Sequence, residues 1–325
     1  MPRILLVNHL YHPDGEVLLR ESAEVVVAES DSLAELAPHL ATCDAIMART
    51  PARVSAEAIA AAPRLRVVST SGFGTDNIDI AAATAAGVQV VNNPGSAENS
   101  VAEHTVALVL GLAKKLTWSD AAVRSRRPWD FRGGFGAIEL KGRTLGVVGF
   151  GRIGREVARK LHDGFGMEIL AFDPMIDPAS VAPWAERAPT LEDLLGRSDV
   201  VSIHCALTPQ TRHLFNERTL ARMRPGALLI NTSRGPVVDE RALAAALRDG
   251  PLGGAGIDVY ESEPPAPDNP LLGAANAILT AHTAGLTVES ARELALAAAA
   301  QVLAVLDGAR PANLVNAQVW DRRRR

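Results

Sequence analysis

Thr144 to Ala158 reads TLGVVGFGRIGREVA, and this stretch decides the fold. A valine-rich apolar run leads into Gly149, Gly151 and Gly154, spaced G-x-G-x-x-G, and a helical pattern begins at Arg152 and Ile153. This is the dinucleotide-binding fingerprint. The first glycine permits a tight turn, and the second lets the backbone approach a pyrophosphate. The third lets the helix pack on its strand, with the positive helix N-terminus facing the phosphate charge. Glycine-rich turns are common, so the spacing alone is weak. Here a strand precedes it, a helix follows, and EILAFDP places Asp173 and Pro174 at the next strand end, where a ribose-binding carboxylate is expected. About 140 residues precede the motif, enough for another domain.

Short apolar runs alternate with helical patterns along the whole chain, the signature of an α/β fold with parallel sheets. Before the fingerprint, strands are expected at 4–8, 24–28, 45–49, 66–71 and 89–93. Alanine-rich helical segments such as SAEAIAAAP and DIAAATAAG lie between them. From Ser100, SVAEHTVALVLGLAKKLTWSDAAVRS keeps helical periodicity for about seven turns, predicting one long helix that crosses between domains or forms a subunit contact. From the fingerprint onward, six runs are strand-like: TLGVVGF, EILAF, DVVSIHC, ALLINTS, GAGIDVY and AILTAH. Six matches the strand count of a dinucleotide domain of order 3-2-1-4-5-6. Thr190 and Asp193 suggest a capping box. A last helix spans about Thr287 to Leu306 and stops at Gly308, and RPANLVNAQVW then returns as a strap to the first domain.

Composition narrows the function classes. The chain has 325 residues, 47% hydrophobic and 22% charged, so it can bury two full cores. A net charge of −4 gives no electrostatic case for nucleic acid or a membrane surface. Arg322 to Arg325 is the one basic run and reads as a solvated, disordered tail. Cys43 and Cys205 lack metal-ligand spacing and read as reduced, buried thiols. Neither a signal peptide nor a spanning helix is expected, which points to a cytoplasmic protein. No metal is expected.

Ligands of open α/β sheets bind beyond the carboxyl ends of the strands. Those ends carry Gly149 and Gly151, Asp173, His204, Ser233 with Arg234, Asp258 with Glu263 beyond it, and His282. Each has a bland reading. His282 fits a histidine satisfied by local hydrogen bonds, Arg234 a surface or pyrophosphate-binding arginine, and Glu263 a solvated loop acid. His204 reads as lining.

The order G-x-G-x-x-G, FDP, NTSRGPVVDE, DVYESEPP and TAHTAG resembles the D-2-hydroxyacid dehydrogenases. STSGFGTDNID resembles that family's substrate loop, and NNPGSAENSVAEH the approach to its long helix, so the resemblance covers nearly the whole chain. It implies two doubly wound parallel-sheet domains: a flavodoxin-like substrate domain (1–99 with 286–325) and a Rossmann NAD-binding domain (100–285). It implies NAD as cofactor, hydride exchange with a 2-hydroxyacid/2-oxoacid pair, and a homodimer. The implied catalytic trio is Arg234, Glu263 and His282. An imidazolium at His282 can donate a proton to the substrate carbonyl, a carboxylate at Glu263 favours that charged form, and Arg234 offers a planar fork for a carboxylate. The implied cofactor set is Gly149, Gly151, Arg152, Ile153, Gly154, Asp173, Pro174, His204, Thr208, Thr232, Ser233, Asp258, Gly285 and Ser100. The implied substrate set is Ser71, Gly72, Phe73 and Gly74, whose amides can form an anion nest, with Arg49 at a neighbouring strand end. Arg49 also fits a solvated charge or an interdomain ion pair.

Two departures stand out. Ala97 occupies a position where many members carry asparagine, with Asn99 as a substitute. The sequence also ends soon after the strap, so the regulatory domain of longer phosphoglycerate dehydrogenases is not expected. Two other readings remain: a short 3-phosphoglycerate dehydrogenase, and a non-enzymatic dinucleotide-sensing corepressor-like module. Glu263, where formate dehydrogenases carry glutamine, argues against formate oxidation.

Overall fold

A computed structural model describes residues 1–127, 132, 134, 136–177 and 181–324. It divides into two compact units, Met1–Ala97 with Leu286–Arg325, and Glu98–Gly285.

The first unit alternates β1 (Arg3–Val7), α1 (Pro13–Arg20), β2 (Glu24–Ala28), α2 (Leu33–Leu40), β3 (Ala45–Ala48), α3 (Ala56–Ala60), β4 (Val67–Thr70), α4 (Ile80–Ala85) and β5 (Gln89–Val91). Its sheet has the order β2-β1-β3-β4-β5, and every pairing is parallel. A parallel sheet buried on both faces needs strands that are apolar on both sides, which is why ILLV and AIMA are continuous runs rather than alternations.

The second unit begins with α5 (Glu98–Ala113) and α6 (Leu116–Arg124). Then come β6 (Thr144–Val148), α7 (Arg152–Phe165), β7 (Glu168–Phe172), β8 (Ala185–Arg187), α8 (Leu191–Arg197), β9 (Val200–Ile203), α9 (Glu217–Leu220), β10 (Leu228–Asn231), α10 (Glu240–Arg248), β11 (Gly254–Ile257) and β12 (Ala277–Leu279). Its seven strands run β12-β11-β10-β9-β6-β7-β8, again all parallel. One face packs on α5 and α7, and the other on α8, α9 and α10. The chain then returns to the first unit as α11 (Val288–Leu306). Thr287 caps α11 in a reciprocal box with Ser290, and Ala295, Ala298, Ala299 and Val302 pack against Ile4, Leu6 and Val67.

Four sequence expectations need correction. The six apolar runs are not the full sheet: Ala185–Arg187 adds a third strand in the dinucleotide order, at an exposed edge where no apolar run is required. The long helix is broken. Lys115 is left-handed (φ 54°), and the Ala113 carbonyl accepts the Ile138 N–H at 2.9 Å in place of a continuing helical donor. Lys114 Nζ also donates to the Ile138 carbonyl at 2.9 Å. The capping box at α8 is half made: Thr190 Oγ1 accepts the Asp193 N–H, while the Asp193 carboxylate pairs with Arg197 at 3.0 Å. Finally, the arginine tail is packed. Arg322 ends a 3-10 segment, Arg323 lies 3.6 Å over the Trp320 ring, and Arg324 donates to the Ala62 carbonyl at 2.9 Å. Arg325 lies outside the described residues. The strap forms an antiparallel bridge from Leu314 to Val91, and buried Asn316 accepts the Val90 N–H at 2.8 Å.

Candidate active site

The three fingerprint glycines have three different physical reasons. Gly149 has φ 91°, and a Cβ there would fall 2.5 Å from the Cys205 nitrogen, so only glycine turns the chain against the end of β9. At Gly154 a Cβ would meet the Gly149 carbonyl oxygen at 2.2 Å, so the helix lies directly on its own loop. Gly151 is unlike both: it caps α7 at φ −73°, and a Cβ would meet nothing within 4 Å. The protein itself makes no demand for glycine there, so the space suits a molecule approaching the backbone at a helix N-terminus. That cradle fits a dinucleotide pyrophosphate. Arg152 is exposed and pairs with Glu98 at 3.3 Å, while Ile153 is half-buried.

Asp173 and Pro174 follow β7. Asp173 Oδ2 accepts the Phe150 N–H from the glycine loop, and Oδ1 accepts the Met175 N–H, both at 2.9 Å. Its carboxylate is thereby fixed beside the loop. After β9, His204 lies 2.8 Å from the Ser202 hydroxyl, and burial pushes its pKa down to about 3, so the ring is neutral. Burial likewise pushes the neighbouring Cys205 thiol up to about 11. Thr208 is exposed in a turn with Thr211, and Gly285 is half-buried. Thr232 is buried and bonds Thr105 at 2.9 Å on α5, the helix that also carries buried Ser100.

Beyond β10, β11 and β12 three loops meet. His282 is left-handed at φ 53°, and its Nδ1 lies 2.6 Å from Glu263 Oε2. Burial would raise the Glu263 carboxyl. The hydrogen bond and charge of His282, the Tyr260 N–H at 3.1 Å and the Arg234 charge outweigh this and hold it below the usual carboxylate value. Glu263 is therefore a carboxylate at neutral pH. Its grip on Nδ1 leaves Nε2 as the imidazole nitrogen available for proton exchange. Arg234 follows an Asx turn in which Asn231 Oδ1 accepts from both the N–H and the hydroxyl of Ser233, while Asn231 Nδ2 donates to the Arg234 carbonyl.

Asp258 is fully buried. Its Oδ1 accepts from Thr280 Oγ1 at 2.6 Å and from the Thr283 N–H, and its Oδ2 accepts the Ala284 N–H. Its carbonyl also takes the His282 N–H at 2.7 Å. This one residue shapes the turn that presents His282. His104 on α5 adds Nε2 at 3.1 Å from Thr280 Oγ1. Sequence reasoning missed Asn231, Thr280 and His104; the i, i+4 spacing of His104 from Ser100 on one helix face was a usable signal.

In the first unit, Ser71 is buried and gives its hydroxyl to the Ala48 carbonyl. Asn93 N–H donates to the Gly72 carbonyl at 2.9 Å, and Asn92 Nδ2 to the Phe73 carbonyl at 2.7 Å. With those carbonyls anchored, the N–H groups of Gly72, Phe73 and Gly74 have no protein acceptor among the described residues. Arg49, at the end of β3, lies 5.4 Å over the ring of Tyr11, a partner the sequence did not reveal. No group of three His, Cys, Asp or Glu able to hold a metal occurs among the described residues. No helix among them is long and apolar enough to cross a membrane.

Residues 106–284 match the family model for the NAD-binding domain of the D-isomer specific 2-hydroxyacid dehydrogenases. The chain belongs to this family. It is 40% identical over 329 residues to a glyoxylate reductase of Thermofilum pendens, covering 98% of this chain and 95% of that protein. It is 39% identical to a D-3-phosphoglycerate dehydrogenase of Methanocaldococcus jannaschii, with 97% of this chain covered but only 60% of that longer protein. An NADPH-dependent glyoxylate/hydroxypyruvate reductase from Sinorhizobium meliloti, solved with NADP and malonate, is similar in structure. Its TM-score is 0.88 at 28% identity, over 100% of this chain and 99% of that one. As a family member, the protein is an NAD(P)-dependent oxidoreductase acting on the CH–OH group of 2-hydroxy acids.

Proposed function

We propose that this protein interconverts a small 2-oxoacid and its D-2-hydroxyacid, with NAD(H) preferred over NADP(H). The single observation that carries the catalytic assignment is the 2.6 Å contact between His282 Nδ1 and the Glu263 carboxylate. The bound nicotinamide supplies or receives the hydride. His282 Nε2 donates the proton to the carbonyl oxygen in reduction and takes it back in oxidation. Glu263 orients that ring. Arg234 binds the substrate carboxylate and polarises its carbonyl, for which a planar fork is better suited than an ammonium. In the first unit, which we assign to substrate, the amides of Gly72, Phe73 and Gly74 form a nest suited to an anionic group.

NAD preference is supported by Asp173. A fixed carboxylate accepts from ribose hydroxyls and repels a 2′-phosphate. Loop residues Gly149, Gly151, Arg152, Ile153 and Gly154, with Pro174, His204, Thr208, Thr232, Ser233, Asp258, Gly285 and Ser100, make up the rest of the proposed dinucleotide surface. The match along nearly the whole length of a glyoxylate reductase favours glyoxylate as substrate, and the structural likeness to a glyoxylate/hydroxypyruvate reductase adds hydroxypyruvate. Arg49 supports a second reading. Its guanidinium sits over Tyr11 and has no carboxylate partner among the described residues, so it suits a substrate with a second anionic group, as in 3-phosphoglycerate. Initial rates with NADH against glyoxylate, hydroxypyruvate, phosphohydroxypyruvate and pyruvate decide between the two. A strong preference for phosphohydroxypyruvate that is lost in Arg49→Ala would establish the second, and no turnover of any 2-oxoacid would overturn both. We also propose a cytoplasmic homodimer. The dimer is supported by α6, which buries none of its residues in the chain and exposes Leu116 and Val123, and light scattering tests it.

A further inference from the structure

Two residues before Glu263, the same loop carries a second carboxylate with a histidine of its own. Glu261 Oε2 lies 3.0 Å from His213 Nε2. Its Oε1 accepts the backbone N–H of Glu240 at 3.1 Å, and Glu240 Oε1 accepts the backbone N–H of Glu261 at 2.8 Å. Glu240 Oε2 takes Asn269 Nδ2 at 2.7 Å. Two acids side by side repel, and burial with the Glu261 charge pushes the Glu240 carboxyl up, so the pairing has an electrostatic cost. The compensation is the reciprocal pair of charge-assisted bonds to main-chain N–H groups. Those bonds tie the start of α10 to the loop after β11.

The tied segments flank the proposed catalytic groups. His213, left-handed at φ 49°, donates its N–H to the Pro236 carbonyl at 2.8 Å. Between Arg234 and Pro236, Gly235 presses on the backbone of Tyr260: a Cβ there would fall 1.9 Å from the Tyr260 carbonyl. Tyr260 in turn gives its N–H to Glu263. Arg234 and Glu263 therefore sit on two loops in main-chain contact, and the acid cluster adds a second tie between the same segments.

We propose that Glu240, Glu261 and His213 form a clamp that sets the position of Arg234 relative to the Glu263–His282 pair. They are positioning residues and touch neither substrate nor cofactor. The inference rests on the reading of Arg234 as the substrate anchor. It also adds a distinction: Glu263 acts through His282, and Glu261, two residues away, acts through Arg234.

The test is steady-state kinetics of the full chain with NADH and its best 2-oxoacid, together with NADH binding. Glu240→Ala is expected to raise the 2-oxoacid KM about tenfold and to leave the NADH Kd within about twofold. Glu240→Gln keeps an acceptor for the Glu261 N–H and is expected to recover most of the loss. Because the clamp acts through Arg234, Glu240→Ala added to Arg234→Lys should cost little beyond Arg234→Lys alone. Additive losses, an unchanged KM, or a Gln variant as impaired as Ala would overturn the proposal. Should Glu240→Ala fail to fold, His213→Ala at the half-exposed end of the cluster is expected to give the same KM-selective pattern in weaker form, and an unchanged KM there overturns it equally. If Arg234→Lys by itself leaves kcat/KM intact, the anchor reading fails; if only the clamp variants do, the clamp alone fails.

Discussion

At the carboxyl edge of the first sheet a ligand would meet backbone amides and one arginine stacked on a ring. At the same edge of the second sheet it would meet a fixed carboxylate, a paired histidine and a guanidinium. The first edge is built from glycines and asparagine anchors, Gly72 and Gly74 with Asn92 and Asn93. The second is built from side chains whose charge is held by neighbours, Asp173 by two N–H groups and Glu263 by His282. One fold pattern used twice thus supplies two kinds of chemistry: amides suit holding an anion of fixed charge, while proton transfer needs groups that titrate.

The largest test of this contrast is His282→Ala. Loss of the proton donor is expected to lower kcat by about 10²–10⁴-fold. A kcat near wild type would remove the chemical role from the second edge. Next comes Asp173→Ala, which should shift the NADPH-to-NADH ratio of kcat/KM upward by about tenfold, or about 1.4 kcal/mol. Comparable use of both cofactors by the wild type would refute the preference at once. Glu263→Gln is expected to be milder and visible in pH. The Glu263 carboxyl is held below its ordinary value of 4.5. Its pairing therefore contributes fully above that pH and is lost as pH falls through the lowered folded value. Wild-type thermal stability should fall more steeply than that of Glu263→Gln only in that acid range; parallel curves there would contradict the pairing. The smallest effect is expected at the first edge. Phe73 is 63% exposed and contributes its amide, so Phe73→Ala should leave kcat/KM within about threefold. A large loss would mean that the side chain, not the backbone, does the binding.

The sequence was legible where local pattern and local need coincide. Buried parallel strands must be apolar on both faces, so eleven of the twelve strands among the described residues could be read as runs; the exposed edge strand Ala185–Arg187 could not. The glycine spacing and Asp173 were legible because a phosphate loop has few chemical solutions. Asp258 was readable as a strand-end acid, but not as the organiser of the His282 turn, since its partners Thr280, Thr283 and Ala284 declare themselves only when the loop closes. The break after α5 was hidden for a similar reason. Nothing in AKKL disfavours a helix, and the interruption comes with a donor from Ile138, more than twenty residues along the chain. Arg49 on Tyr11 and the Glu240–Glu261 exchange are likewise pairings between distant segments, for which sequence spacing carries no signal.

The discontinuity of the first unit bears on the order of events during synthesis. One face of its sheet, including Ile4, Leu6 and Val67, is covered by Ala295, Ala298, Ala299 and Val302 of α11. Those residues leave the ribosome only after all of Glu98–Gly285 has been made. The second unit can therefore complete its own core while the first still exposes an apolar sheet face. For that interval the first unit, begun before the second, is finished after it, and its five-stranded sheet keeps an apolar face uncovered, the kind of surface that makes a folding chain prone to association.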